Sequence, residues 1–224
     1  MNNIQAIQAD FDDLALLPAE TWDHNSHYHK FLLRHLPSPC GESLEIGCGT
    51  GAFSRLLAER SRAVVAMDLS PNMVHIARRE SASYSNIEFR VADVMETELG
   101  AERFDCIASV ATLHHLPTEK ALAKLKQALK VNGVLLILDL FEEAGVLDAF
   151  RGAVALPASM ALRLINDGRL VASKESRDAW ARHGLNDSYP TLNEVRKMCE
   201  DHLPRARIRK HLFWRYSVVW KKTG

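Results

Sequence analysis

Paired cysteines are missing from this chain. The four it has (Cys40, Cys48, Cys106 and Cys199) stand far apart in 224 residues, with no C-x-x-C among them. That spacing excludes a zinc ribbon or a disulfide framework, so the thiols are expected to be reduced and the chain cytoplasmic. No apolar run approaches the roughly 20 residues that cross a bilayer. The start, MNNIQAIQADFDD, is polar and acidic rather than a secretory leader. Excess charge of either sign is also absent. Lys+Arg 28 balances Asp+Glu 28, which removes the uniform field that gathers nucleic acid or an anionic membrane, and neither is an expected partner. Arg205, Arg207, Arg209, Lys210 and His211 cluster near the end, but at the alternation of one solvated strand face. Repeats and low-complexity linkers are lacking, and the length suits one α/β domain with insertions, not two full domains. A small-molecule partner is expected, with the chain a monomer or homodimer.

What is there begins with Leu44–Phe53, LEIGCGTGAF. It reads as a short apolar strand carrying Glu45, then Gly47, Gly49 and Gly51, then a helix with Phe53, Leu56 and Leu57 on one face. Glycines at such a junction allow a sharp turn and let a flat ligand lie against the backbone. The helix start offers unpaired N–H groups. A nucleotide-like cofactor is the expectation. Gly47-x-Gly49-x-x-Ala52 also satisfies the dinucleotide fingerprint, so an NAD-dependent oxidoreductase stays open at this point.

Two further acids recur in register. Ala63–Met67 reads as a second buried strand ending at Asp68, with Ser70-Pro71 as N-cap and first residue of the next helix. Ile87–Val91 reads as a third strand closed by Ala92-Asp93, where the acid either meets a ligand or caps a turn. The string E-x-G-x-G-x-G, with acids after strands two and three, resembles class I S-adenosylmethionine (SAM)-dependent methyltransferases. The resemblance covers Cys40 to Leu140 by motif. It implies SAM as cofactor, Asp68 as ribose ligand, Asp93 beside the adenine, and a cofactor site of Glu45, Gly47, Cys48, Gly49, Gly51, Asp68, Leu69, Met73, Ala92, Asp93, Val94 and Val110. It also implies an α/β three-layer sandwich: a Rossmann-like, seven-stranded, mostly parallel sheet with an antiparallel C-terminal strand between the fifth and sixth.

Phe104–Val110 is the fourth strand, and the loop after it should lie beside the cofactor's reactive end. His114 and His115 in that loop are the candidate catalytic residues, as general bases or as pocket-shaping groups. Thr118 is placed to cap a helix running to Asn132-Gly133. Val134–Leu140 is the fifth strand, with Asp139 an internal acid that wants a partner. Candidate substrate residues are Tyr28, His24 and His183. His24, His27 and His29 find no carboxylate or cysteine completing a metal set, so no metal is expected.

The layout expected is one methyltransferase domain over 1–224: a cap and helix in 1–39, the cofactor core in 40–140, a substrate-side insertion in 141–190, and a helix with a strand pair in 191–224. Residues 1–20 read as a mobile or capping segment, and Thr21–Leu36 as a helix stopped by Pro37. In the insertion, Gly152 and Pro157 count against a single helix over Val146–Ile165, which reads as an apolar lid together with the segment around Tyr28 and Phe31. A polar connection follows, and Thr191–Glu194 opens the last helix as a capping box. The activity expected is methyl transfer to the O, N or C nucleophile of a small molecule. An oxidoreductase and a SAM-binding protein without catalysis are the alternatives. The Asn/Asp-Pro-Pro-aromatic pattern of many DNA and amide N-methyltransferases is missing after strand four.

Overall fold

A computed structural model describes residues 3–18, 22–142, 146–185 and 187–224. Four parallel strands carry it: β1 (Cys40–Ile46), β2 (Ser61–Asp68), β3 (Ile87–Val91) and β4 (Phe104–Val110). β5 (Leu129–Leu140), β6 (Arg207–Lys210) and β7 (Arg215–Lys221) complete a seven-stranded sheet in the order β3-β2-β1-β4-β5-β7-β6. Only β7 runs against its neighbours, lying antiparallel between β5 and β6.

The apolar runs of β1, β2, β4 and β5 are buried because helices cover both faces. On one face Leu44, Ile107, Leu135 and Ile137 pack with Leu122 and Leu125 of α5 (Thr118–Ala128) and Val195 of α8 (Leu192–His202). On the other, Ala66, Ala108, Leu136 and Leu138 pack with Leu57 of α3 (Ala52–Ala58), Val74 of α4 (Pro71–Glu80) and Leu32 of α2 (His29–Leu33). The result is the expected three-layer sandwich. Burying each such leucine or isoleucine contributes about 1.5–3 kcal/mol. That margin lets the strand ends carry Glu45 and Asp139, two acids shut away from solvent. The strand order reverses between β1 and β4, and the crevice at that switch point is where an open α/β sheet takes its ligand.

Several local expectations are corrected. Residues 3–15 form a helix, α1, whose Leu14 packs with Met73 of α4 and Ala179 of α7 (Lys174–Gly184); it caps the domain. Of the helix expected over 21–36, Thr21 lies outside the described residues. The rest is a 3-10 turn, Ser26–Tyr28, and the short α2, because the Asp23 carboxylate accepts from the backbone of Asn25 and Ser26 and holds a turn instead. Thr118 does not cap α5, whose N-cap is Pro117 with no side-chain bond. The chain then enters β5 at Leu129, ahead of Val134. A register shift leaves Leu129 opposite Phe104 and Val134 opposite Cys106, so the extra residues, with Asn132 at φ 68°, bulge from the ladder.

Val146–Asp167 is one helix, α6, of 22 residues despite Pro157. Proline removes one internal hydrogen bond. Here burial of Ala155, Ala158 and Leu162 against the Trp22–Phe213 cluster outweighs that loss. α6 is therefore packed down, and Arg163 is its one described residue lining the larger cleft below. The connection read as polar contains α7, started by Ser173, whose side chain accepts from Ser176 N–H. The Thr191–Glu194 capping box is present as expected. Among the described residues no helix is long and apolar enough to cross a membrane.

Candidate active site

At the turn from β1 into α3, Gly47 has φ 66°, and a Cβ there would fall 2.0 Å from Thr112 Oγ1. Only glycine brings the end of β1 this close to the loop after β4. The Cys48 N–H donates to Met67 O (3.0 Å) and so ties the turn to β2. Asp68, at the end of β2, accepts from Gly49 N–H at 2.8 Å through one oxygen and from Ser70 N–H at 2.9 Å through the other. Burial raises its pKa above the usual carboxylate value, and these two bonds oppose the rise. Each oxygen keeps a lone pair for a ligand hydroxyl. Asp93 accepts from Met95 N–H at 2.7 Å, so it does cap a turn, again with acceptor capacity left. Glu45 is 2% exposed and accepts from Ser54 Oγ. Burial first, then the nearby Asp68 charge, push its pKa up to about 8.

These groups surround one cavity of ≈ 340 Å³. Every residue expected at the cofactor lines it except Gly51, whose absent side chain instead lets α3 sit against Phe89 and Ala77. The sequence reading missed Ile4, Ile7 and Phe11, which close the cavity from α1, although their helical spacing was visible. It also missed His29, buried against Phe53 at 4.8 Å and lowered by burial to about 4.

A larger cleft of ≈ 1420 Å³ adjoins it, and His115, Ala111 and Phe11 line both. Asp139, fully buried at the end of β5, finds the partner it needed. One oxygen faces His114 Nδ1 at 2.6 Å, and the other accepts from His114 N–H at 3.0 Å. An ionised carboxylate only accepts, so Nδ1 is the donor and Nε2 keeps its lone pair. Arg215, opposite Leu140 in β7, supplies a buried positive charge; burial lowers its pKa, and the Asp139 charge leads the opposing effects. Burial presses His115 down to about 4. Asp187 stands among three imidazoles. His183 Nε2 lies at 3.3 Å, His115 Nδ1 at 3.6 Å and His114 Nε2 at 3.9 Å, while Tyr189 OH donates to it at 2.9 Å.

His114, His115, His24 and His183 thus share the larger cleft. His24 is held at its edge by Ser159 Oγ (2.9 Å) and stacks on Phe213. Tyr28 lines neither cavity. Its hydroxyl accepts from Leu212 and Phe213 N–H (3.1 and 3.2 Å), which pins the turn before β7. Asp187, Tyr189 and Arg215 carried no signal, being unremarkable polar residues until α7 and β7 bring them in.

A family model described as a methyltransferase domain matches residues 44–137, the span from β1 into β5. The chain belongs to the class I SAM-dependent methyltransferases. Its glycine fingerprint is accordingly that of a SAM enzyme and not of an oxidoreductase. An uncharacterized methyltransferase of Mycobacterium tuberculosis is 29% identical over 209 residues, covering 90% of this chain and 98% of that one. The malonyl-[acyl-carrier protein] O-methyltransferase of Serratia marcescens is 33% identical over 99 residues, 44% of this chain and 38% of its own. The N-methyltransferase NodS of Bradyrhizobium japonicum, solved with S-adenosylhomocysteine, superposes over 100% of both chains with TM-score 0.62 at 17% identity. Four acids, Asp23, Glu45, Asp68 and Asp93, line the smaller, part-apolar cavity of this methyltransferase, and such a lining suits a ligand bearing a sulfonium and an ammonium.

Proposed function

We propose that the enzyme transfers the methyl group of SAM to an oxygen, nitrogen or carbon nucleophile of a small molecule held in the larger cleft. In this reading Asp68 accepts from the ribose hydroxyls and Asp93 from the adenine amino group. Glu45, the glycine turn, Leu69, Met73, Ala92, Val94 and Val110 close around the rest. SAM supplies an electrophilic methyl on sulfur. The chain's own task is to hold the acceptor in line and keep water out. His114 and His115 act on the acceptor by taking its proton, with Asp139 fixing the ring of His114. His24 and His183 line the acceptor's path, and Tyr28 acts from behind by holding the Phe213 turn.

The observation that carries this reading is that the loop after β4 lines both cavities, through Ala111 and His115. An acceptor in the larger cleft would therefore share this loop with a ligand of the smaller cavity. Calorimetry with S-adenosylhomocysteine, followed by transfer of labelled methyl over a panel of hydroxyl, amine and acidic-carbon metabolites, tests it. The His114→Gln/His115→Gln enzyme should keep its affinity for S-adenosylhomocysteine and lose roughly 100-fold or more in kcat. Full turnover in that variant would overturn the role of the histidines. A nucleic-acid acceptor, with the metabolite panel silent, would overturn the small-molecule reading.

A further inference from the structure

We propose that His114, His115 and Asp187, with His183 beside them, form a site for one divalent transition-metal ion in the floor of the acceptor cleft. The proposal rests on the methyl-transfer reading and changes only how the two imidazoles act on the acceptor: they hold an ion that polarises it. One donor atom from each of the three residues lies within 4.8 Å of the others. Donors bound at about 2.1 Å around one ion stand roughly 3–4 Å apart, so modest side-chain closure suffices. The observed separations from Asp187 fit that use and suit hydrogen bonding poorly, since His115 Nδ1 at 3.6 Å and His114 Nε2 at 3.9 Å lie too far for a shared proton.

Three features point independently to a ligand. His115 is unsatisfied: its side chain is 9% exposed, its Nε2 is buried without a partner, and its Nδ1 reaches Asp187 only at ion-pair distance. The ring is thus buried with no hydrogen bond at either nitrogen, and coordination through Nδ1, the nitrogen that faces Asp187, would give it its one polar partner. His114 is prepared in the way metal-binding histidines are, with one nitrogen donating to a carboxylate (Asp139, 2.6 Å) and the other left with its lone pair. Asp187, 7% exposed, has no lysine or arginine at ion-pair distance among the described residues; its neighbours are imidazoles and the Tyr189 hydroxyl. A cation in their midst would answer that charge.

Imidazoles with one carboxylate favour zinc, cobalt, nickel or manganese over calcium and magnesium. Three protein ligands leave a position open toward the cleft, as catalytic metal sites do. The acceptor implied is a hydroxylated compound, because an oxygen beside such an ion sheds its proton to solvent more readily. The freed oxygen forms its bond to the methyl carbon as the carbon–sulfur bond breaks, the electron pair returning to sulfur. Asp187 lies 72 residues beyond the adjacent His114 and His115, so a spacing search for metal motifs could not register the three together.

The test uses untagged full-length enzyme treated with chelator and then titrated with zinc chloride, and separately with cobalt chloride. One ion per chain, a visible ligand-field spectrum with cobalt, and at least tenfold weaker zinc binding in both Asp187→Asn and His115→Ala are expected. His202→Ala, at the end of α8 and lining neither cavity, should bind like the parent enzyme. S-adenosylhomocysteine affinity is measured on each variant. Retained cofactor binding with lost zinc binding locates the defect in the metal site and shows the variant to be folded. Absence of stoichiometric binding in the parent, or binding indifferent to both substitutions, overturns the proposal. Failure of the parent to bind S-adenosylhomocysteine while it binds zinc would instead count against the methyl-transfer reading.

Discussion

The two cavities of this enzyme are built in opposite ways. The smaller cavity, proposed for the cofactor, takes its glycines and three of its four acids from one stretch, Glu45 to Met95, where strand ends and turns bring backbone groups to the lining. The acceptor cleft gathers His24, His114, His183, Asp187 and Arg215 from across the chain, and positions them by side-chain contacts between elements that are not neighbours in sequence. A site made by backbone geometry tolerates few residue types and therefore marks its sequence. A site made by converging side chains draws on common polar residues and leaves the sequence unmarked. The same contrast separates a function shared across a family from one particular to this chain.

The substitution with the largest expected effect attacks the first kind of site. Gly47→Ala puts a Cβ into Thr112 at a backbone angle of φ 66° that side chains avoid. Strain at that angle together with overpacking should cost roughly 2–5 kcal/mol. S-adenosylhomocysteine binding should fall on the order of 100-fold or more in calorimetry, with a lower melting temperature. Near-parental affinity would show that the turn is not set by backbone geometry, and the contrast between the cavities would fail with it.

Legibility in the sequence follows the same line. Strands β1 to β4 were readable to within a few residues because buried parallel strands are continuous apolar runs, and the Ser70-Pro71 helix start because its chemistry is local. Asp139 was visible as an acid in need of a partner, yet its partner His114 comes from the loop after another strand. The helices of the acceptor side were misjudged where tertiary packing overrode a local signal. Pro157 argued against α6, but the burial of Ala155 and Leu162 keeps that helix whole. Asp23 argued for nothing, and its turn truncates α2.

A smaller effect, and one that separates the two cavities, lies in the pH dependence of the unliganded enzyme. Glu45 holds its proton up to about 8 in the folded state against 4.5 in an ordinary carboxylate. The folded state binds the extra proton between those values, so the stabilisation is full below the lower one and is lost as pH rises through the upper. His24, at the edge of the larger cleft, and His211, packed on Tyr28 and Phe31, are lowered from 6.5 to about 4, mainly by burial. There the unfolded chain binds the extra proton, so stability falls as pH drops from 6.5 toward 4. Urea midpoints should therefore be highest between these limits. Glu45→Gln should flatten the alkaline side alone, leaving the acid side as in the parent. An unchanged alkaline limb in that variant would remove Glu45 as its cause.

The smallest expected effect concerns the seam at which α1 closes the cofactor cavity. Asp12 accepts from Ser70 Oγ and from Asn72 N–H (3.1 Å), and its own carbonyl accepts from Asn72 Nδ2 (3.2 Å). The carboxylate thus sits on the first turn of α4, where a helix start favours negative charge. Beside it, Ile4, Ile7 and Phe11 reach the cavity from α1. Since α1 contributes no strand to the sheet, its docking is set by a few apolar contacts and by this carboxylate, a region of the kind that opens locally before the core does. Asp12→Ala removes two charge-assisted bonds but lets water satisfy the donors, which leaves a net cost of about 1 kcal/mol in docking and roughly a fivefold loss of affinity for S-adenosylhomocysteine. Hydrogen exchange should quicken across residues 4–15 while β1, β2 and β4 stay as protected as in the parent, and ligand should restore part of the protection. Unaltered exchange in α1 would mean that its apolar face alone holds it, and the closure of the cofactor cavity would then owe nothing to the polar seam.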